Sequence, residues 1–165
     1  SSDEQFSQAE TLDSDSDERP DLLVFDNPTA IVDEDRPYAS VTVFEFKRPM
    51  RDDYYDEDPI DQVIGYVEEL MEGNATDVSG RPINIRDRTP FYCYIVADLT
   101  PTLTRVANRA DYTKTPDQEG YFDFNSNYNA YIEIMSYDKL LNDARKRNRI
   151  LFHKLNLDEP IPEDA

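Results

Sequence analysis

The chain has too few cysteines and histidines for several kinds of site. A single cysteine among 165 residues excludes an internal disulfide. The single histidine, His153, excludes a histidine-rich metal site and argues against a Ser-His-Asp arrangement. No apolar run approaches the roughly 18 residues of a membrane span, and no secretory signal precedes the first predicted strand. We therefore expect a cytoplasmic protein without a membrane partner.

Basic residues are also scarce, and this shortage bears on the choice of partner. The chain has 17 Lys and Arg against 36 Asp and Glu, a net charge of -19. Because a phosphate backbone is usually met by Lys and Arg on the contact face, this balance argues against nucleic acid. The charge is uneven, however, since residues 139–154 hold six bases and a single acid. This segment is either a phosphate-binding helix or a solvated charged face, and its candidate DNA-contacting residues are Arg145, Lys146, Arg147 and Arg149.

The composition predicts one folded domain between two acidic ends. A hydrophobic content of 38% and an aromatic content of 12% suffice for a single core. Residues 1–19 are rich in Ser, Asp and Glu and predict an acidic, flexible arm. Residues 158–165 predict an acidic tail, which leaves residues 20–157 as the domain.

Hydrophobic patterning predicts interleaved strands and helices. Strands are predicted at 22–25, 39–47 and 91–99, the last buried on both faces with Cys93 inside it, and a hairpin over 121–124 and 128–135. Helices are predicted over 59–71, from Pro101 with Thr100 as N-cap, and from Tyr137 to about residue 152. This order predicts an α/β fold with a central mixed sheet flanked by helices. The segment 52–61 is rich in acids and also contains Tyr54, and it predicts either a mobile flap or a solvated loop.

Charged residues lie at the ends of the first two strands. A Pro-Asp pair ending at Asp21 opens the first strand, and Glu45-Phe46-Lys47 closes the second. In a strand, residues i and i+2 share a face, so Glu45 and Lys47 project together while Phe46 turns into the core and offers its carbonyl. Charges at the end of an apolar stripe usually have a purpose or a salt-bridge partner. The alternative is a solvated strand end, with Asp21 capping a turn.

These residue types suit the hydrolysis of a phosphodiester. A divalent cation lowers the pKa of the attacking water and neutralises charge on the phosphate. The carboxylates of Asp21 and Glu45 and the carbonyl of Phe46 are the hard oxygen ligands that Mg2+ prefers, with Mn2+ as a substitute. Lys47 would position or help deprotonate the nucleophile, or stabilise the transition state as a fixed positive charge.

The helix that follows the triplet adds a second motif. Gln62 and Tyr66 are four residues apart and lie on one flank of that helix. A strand carrying acid-x-Lys, followed by a helix carrying Gln-x-x-x-Tyr, resembles the PD-(D/E)xK nuclease superfamily, particularly its restriction-endonuclease-like and RecB-like branches. The resemblance implies a restriction-endonuclease-like sheet with Asp21 and Glu45 as metal ligands. It also implies that Lys47 is the catalytic lysine, and that Gln62 and Tyr66 orient the substrate phosphate or this lysine.

Longer segments extend the resemblance. Residues 19–26 and 43–49 are similar to the N-terminal nuclease part of type I restriction subunits and to nuclease domains of bacterial defence proteins. Residues 131–141 and 144–149 are similar to the last strand and helix of nuclease-like domains in larger ATP-binding proteins. Many members of the superfamily carry a further acid upstream, a place that Glu4 or Glu10 could fill.

The resemblance implies a Mg2+-dependent deoxyribonuclease domain of a larger protein, active in anti-phage defence or restriction. Given the shortage of bases, we expect DNA affinity to come partly from a homo-oligomer or from other domains. The acidic balance also favours an alternative, a catalytically inactive nuclease-like module that serves as an interaction or sensor domain. A third possibility is a metal-dependent phosphodiesterase acting on a small nucleotide.

Overall fold

Seven strands and three helices make up the described part of the chain in this computed structural model. The described residues are 6–8, 20–26, 38–73, 75–76, 80, 83, 85 and 88–154, with the backbone alone at 6–8, 26 and 147–154. The strands are β1 (Phe6–Gln8), β2 (Leu22–Asp26), β3 (Ser40–Phe46), β4 (Phe91–Val96), β5 (Thr113–Lys114), β6 (Gly120–Asn125) and β7 (Ala130–Met135). The helices are α1 (Pro59–Met71), α2 (Pro101–Arg109) and α3 (Tyr137–Lys154).

The strands form one mixed sheet in the order β1-β2-β3-β4-β7-β6-β5. Its central strands β3, β4 and β7 run parallel, and the other neighbouring strands pair antiparallel. The predicted α/β class with a central mixed sheet is confirmed. Because parallel strands end at the same edge of a sheet, the residues that follow β3, β4 and β7 lie near one another.

One face of the sheet forms the core together with α1 and α2. In β3 the buried residues alternate with more exposed ones, as a strand covered on one face requires. The apolar positions of α1 recur at helical spacing, so that one side of the helix is buried. The shared core cluster includes Val41, Val43, Ile60, Val63, Val67, Leu70, Cys93, Ile95, Leu103 and Ala107.

Phe46 faces away from this core, so the prediction that its side chain turns inward is wrong. The side chain is 40% exposed and stacks on Phe44, with ring centroids 6.1 Å apart. Because the apolar face of α1 shares its core with Val41 and Val43, the odd-numbered residues of β3 are the buried ones. Phe46 must then lie on the opposite face.

The prediction that the strand at 91–99 is buried on both faces is also wrong. Tyr92 is 41% exposed, and Tyr94 is half-buried and stacks on Phe44 at 5.4 Å. The strand ends at Val96 rather than at residue 99. Cys93 is buried, as expected. A run of tyrosines and aliphatic residues hides the alternation of a one-sided strand, because tyrosine is apolar enough to be counted with the core.

Other predicted elements are confirmed at nearly the expected bounds. β6 and β7 form the predicted hairpin, and α2 begins at Pro101 with Thr100 at the N-cap position. Of the predicted arm at residues 1–19, only β1 is described, and it pairs with β2. The predicted tail at 158–165 lies outside the described residues. None of the helices in the described part combines the length and apolar composition needed to cross a bilayer.

Candidate active site

The pairing of β2 with β3 brings Asp21 opposite Glu45. The two strands are antiparallel with Leu22 opposite Phe44, so the next pair outward is Asp21 and Glu45. Asp21 Oδ2 accepts a hydrogen bond of 2.7 Å from the backbone N–H of Phe46. This bond continues the strand pair beyond the ladder and fixes Asp21 beside the Glu-x-Lys triplet.

Glu45 is a buried acid whose polar groups are only partly satisfied. The residue is 7% exposed, and Oε1 accepts a hydrogen bond of 3.3 Å from Lys47 Nζ. Oε2 is buried and has no hydrogen-bond partner among the described residues. Burial raises the pKa of the Glu45 carboxyl; the Lys47 charge opposes this shift and the Asp21 charge adds to it. A carboxylate in such a position is costly to fold unless something compensates it.

Lys47 links the strand to α1. Its side chain is 5% exposed, and Nζ donates to Gln62 Oε1 at 2.5 Å as well as to Glu45. Nζ also lies 4.0 Å from Glu57 Oε1. The structure therefore brings together the strand triplet and the first motif residue of the helix, whereas the role of Gln62 in a reaction stays a prediction.

The N-terminus of α1 determines where Gln62 lies. Asp58 caps the helix by accepting a 2.8 Å hydrogen bond from the Ile60 N–H, and Pro59 occupies the first turn. Gln62 lies three residues after Pro59, where its side chain accepts the hydrogen bond from Lys47. Tyr66 lies one turn further on and is 4% exposed within the core cluster. The predicted role of Tyr66 in orienting the phosphate or the lysine stays a prediction.

The acidic loop between β3 and α1 is anchored to the start of α2. Asp52 Oδ1 accepts a 2.9 Å hydrogen bond from the Thr102 N–H, and the Arg51 carbonyl accepts one of 3.0 Å from Thr100 Oγ1. Tyr54 is 1% exposed. The prediction of a solvated segment is wrong for Tyr54, which is buried, whereas Asp52 is exposed as that prediction expects. The prediction of a mobile flap stays a prediction.

Two residues of this loop join the site without having been predicted. Glu57 Oε1 accepts a 2.5 Å hydrogen bond from Gln62 Nε2, and Glu57 Oε2 accepts one from the Arg51 guanidinium. These bonds, with that from Arg51 first, hold the pKa of the Glu57 carboxyl below its usual value against a smaller effect of burial. Five acids lie between residues 52 and 58, and the sequence does not indicate which one faces the site. The only signal is that Glu57 lies about one turn ahead of Gln62.

Tyr137 is a third residue that the sequence did not single out. It opens α3 directly after β7, and its hydroxyl donates a 2.5 Å hydrogen bond to the carbonyl of Lys47. Because β3 and β7 are parallel, their carboxyl ends meet at one edge of the sheet, and Tyr137 connects them there. Only the parallel arrangement of β3 and β7 indicates that Tyr137 lies near Lys47, since nothing in the sequence around Tyr137 does so.

The remaining predicted residues are only partly described. Arg145 and Lys146 are exposed on α3. The side chains of Arg147 and Arg149 lie outside the described part, as do Glu4 and Glu10. The role of these residues therefore stays a prediction.

Comparisons with known proteins do not identify a family for this chain. No protein-family model, curated protein or solved structure matches the chain. The function is therefore inferred from the site alone: a buried glutamate with an aspartate bonded to the same strand end, a buried lysine and a glutamine that accepts a hydrogen bond from it.

Proposed function

We propose that the chain is a metal-dependent nuclease domain of the PD-(D/E)xK type that hydrolyses phosphodiester bonds in DNA. The observation that carries the proposal is the buried lysine at the end of β3. Its ammonium lies 3.3 Å from Glu45 and 2.5 Å from Gln62, and Asp21 is hydrogen-bonded to the backbone of Phe46 beside Glu45. Apolar residues would be more stable at this end of a core strand, so the charges are best explained by a function.

The order of the elements supports a restriction-endonuclease-like fold as part of this proposal. The acid-x-Lys triplet closes β3, the helix with Gln62 and Tyr66 follows, and β4 then pairs parallel to β3. The first turn of α1 is thereby held beside the end of β3. This arrangement accounts for the contact between two motifs that are 15 residues apart in sequence.

Asp21 and Glu45 fit a small, hard cation such as Mg2+ or Mn2+. Among the described residues, no group of three or more His, Cys, Asp or Glu is placed to hold a metal. Mg2+, however, commonly uses one or two carboxylates and completes its shell with water and substrate phosphates. The unpartnered Oε2 of Glu45, next to a second carboxylate, is a place where a cation would compensate buried negative charge.

Each residue then has a separate task in the reaction. Asp21 and Glu45 would hold the cation, which supplies a water of lowered pKa and neutralises charge on the phosphate. Hydrolysis would form a bond between the water oxygen and phosphorus and break the bond to the leaving oxygen, while the water would lose a proton to solvent and the leaving oxygen would take one up from solvent. Lys47 keeps a positive charge beside the phosphate oxygens as negative charge builds on them. Gln62 holds the ammonium in place.

The exposed Arg145 and Lys146 of α3 would contact the DNA backbone. With a net charge of -19, the chain is unfavourable for binding DNA alone. We therefore include in the proposal a homo-oligomer, or further domains of a larger ATP-binding protein of bacterial defence, as the source of the remaining affinity.

Cleavage of supercoiled plasmid and of single-stranded DNA with Mg2+ or Mn2+ tests the proposal. Glu45→Gln and Lys47→Met should each lower the cleavage rate by about 100-fold or more, since the first weakens the cation site and the second removes the positive charge beside the phosphate. Lys139→Met is the matched control, because it removes a lysine paired with acids elsewhere and should cut within about twofold of the parent. Equal rates for the parent and the Lys47→Met protein would overturn the role of Lys47.

The net charge favours a second candidate, a nuclease-like module that binds a protein partner and cuts nothing. Calorimetric titration with Mg2+ or Mn2+ separates the two candidates. A catalytic centre should bind the ion, and Glu45→Gln should abolish that binding. Absence of both metal binding and cleavage in the parent would support the module.

A further inference from the structure

The Gln62 side chain lies between a cation and an anion, which together fix the direction of its amide. A lysine ammonium has only donors, and an ionised carboxylate has only acceptors. Gln62 Oε1 accepts from Lys47 Nζ at 2.5 Å, and Gln62 Nε2 donates to Glu57 Oε1 at 2.5 Å. The amide oxygen that faces Lys47 is therefore matched by an amide nitrogen that faces the Glu57 carboxylate, and the reversed amide would place a donor against Lys47 and an acceptor against Glu57.

Glu57, whose side chain is 42% exposed, is itself hydrogen-bonded through both carboxylate oxygens. Its Oε2 accepts a hydrogen bond from Arg51, whose Nε donates to Asp53 Oδ1 at 2.7 Å. The Arg51 guanidinium lies 5.0 Å from the ring centroid of the buried Tyr54, and its side chain is 18% exposed. Charge-assisted bonds of this kind set the direction of a carboxylate. One oxygen of Glu57 is thus committed to Arg51 and the other to Gln62.

We infer that Glu57 is a positioning residue, which sets the Gln62 amide so that its oxygen holds the Lys47 ammonium in place for the reaction. The inference rests on the proposed function, in which Lys47 acts on the phosphate. Glu57 Oε1 also forms an ion pair with Lys47 Nζ at 4.0 Å, but this distance is too long for a hydrogen bond, so only Gln62 carries the hydrogen-bond link from Glu57 to the lysine. Arg51 thus orients the Glu57 carboxylate, Glu57 orients the Gln62 amide, and Gln62 holds the Lys47 ammonium.

The variant Glu57→Gln tests this dependence with almost no change in side-chain size. The new amide has one acceptor and one donor end, and the Arg51 cation takes the acceptor end. Its NH2 group then faces Gln62, which must reverse its own amide to accept. The reversed Gln62 presents NH2 to Lys47, and the ammonium loses its closest acceptor.

Arg51→Met supplies the rescue. Methionine keeps much of the packing of the arginine side chain but donates no hydrogen bond. In the double variant Glu57→Gln, Arg51→Met, residue 57 is free to turn its oxygen towards Gln62 and restore the parental orientation. A role of Glu57 in stability alone predicts the opposite, since removing Arg51 as well would add to the damage.

The first readout is steady-state cleavage of an oligonucleotide with Mg2+. We expect Glu57→Gln to lower kcat about tenfold, the usual effect of losing one charged hydrogen bond, with KM within about twofold of the parent. The double variant should recover at least about half of this loss on a logarithmic scale. A Glu57→Gln protein as fast as the parent, or a double variant no faster than Glu57→Gln alone, would overturn the inference.

The second readout needs no activity and separates failure of this inference from failure of the proposed function. The side-chain amide of Gln62 gives a resolved 1H–15N signal, assigned by its loss in Gln62→Glu. Glu57→Gln should move this signal, and the double variant should return it towards the parental position. A signal that does not move overturns the inference, whether or not the parent cuts DNA. If the parent does not cut but the signal behaves as expected, the orientation of Gln62 is supported and the nuclease proposal fails.

Discussion

Two lysines of this domain are paired with acids, and their surroundings differ. Lys139, in the first turn of α3, lies 2.9 Å from Asp117 Oδ2, and Asp117 Oδ1 accepts hydrogen bonds from Thr115 Oγ1 and the Glu119 N–H. Both oxygens of Asp117 are therefore satisfied. Lys47 is more deeply buried, and its partner Glu45 keeps one buried oxygen without a partner in the described part of the chain.

The difference separates a structural ion pair from a candidate site. The cluster around Lys139 joins the turn before β6 to the start of α3, and nothing further is needed to satisfy its acid. The cluster around Lys47 lies at the end of a core strand and leaves one buried carboxylate oxygen of Glu45 without a hydrogen-bond partner in the described part of the chain, which lowers stability unless a ligand is bound. A buried pair that is incomplete by itself is therefore a better indication of function than a pair that is complete.

The largest expected effect tests whether the Lys47 pair lowers stability. Lys47→Met leaves Glu45 buried without its cation and should lower the free energy of unfolding by about 3 kcal/mol. Glu45→Met combined with Lys47→Met removes both charges and should restore stability to within about 1 kcal/mol of the parent, or above it. Urea unfolding without divalent ions, followed by circular dichroism, measures these changes.

The matched control applies the same substitution to the other lysine. Lys139→Met should cost about 1 kcal/mol or less, because Asp117 is partly exposed and water can replace the lysine. If the two single variants lose equal stability, or if the double variant is less stable than Lys47→Met, the distinction between the two pairs fails.

The sequence predicts the residues of the Lys47 site more completely than it predicts the residues around them. Period-two alternation in β3 places Glu45 and Lys47 on one face, and helical spacing in α1 places Gln62 on a helix, because these are local consequences of backbone geometry. Which face of β3 is buried depends on where α1 packs, and that is a tertiary fact. For this reason the alternation was predicted correctly but the side chain of Phe46 was assigned to the wrong face.

The residues that complete the site are set by topology. Glu57 and Arg51 belong to a loop in which Tyr54 is buried and Asp52 accepts a hydrogen bond from the Thr102 N–H of α2, 50 residues away in sequence. Tyr137 reaches Lys47 only because β7 runs parallel to the inner strands. No local pattern specifies these contacts, so composition suggested a solvated loop instead.

A smaller effect is expected at the residue that connects the two regions. Tyr137 lies two residues before Lys139 and donates to the carbonyl of Lys47, and burial raises the pKa of its hydroxyl, so that it stays a donor. Tyr137→Phe should cost about 1 kcal/mol and lower Tm by about 2–4 °C in a domain of this size. Tyr128→Phe removes an exposed hydroxyl bond to Glu68 and is the control. Equal Tm losses in the two variants would show that Tyr137 contributes no more than a surface bond.

The smallest effect concerns the satisfied acid of the Lys139 pair, and it should depend on pH. Hydrogen bonds from Thr115, then from the Glu119 N–H and from Lys139, hold the pKa of Asp117 well below its usual range. A depressed pKa stabilises the folded state above the unfolded pKa of about 4, and that stability is lost as pH falls towards the folded pKa.

Asp117→Asn should therefore lower Tm at pH 7 by no more than about 2–4 °C, given an exposed ion pair worth about 1 kcal/mol or less. The gap between parent and variant should narrow progressively below about pH 4. Asp111→Asn, at an exposed turn, is the control for replacing an aspartate by asparagine. A Tm difference that stays constant from pH 7 to pH 3 would mean that the carboxylate charge at Asp117 contributes nothing. The contrast with Glu45 would then rest on burial alone.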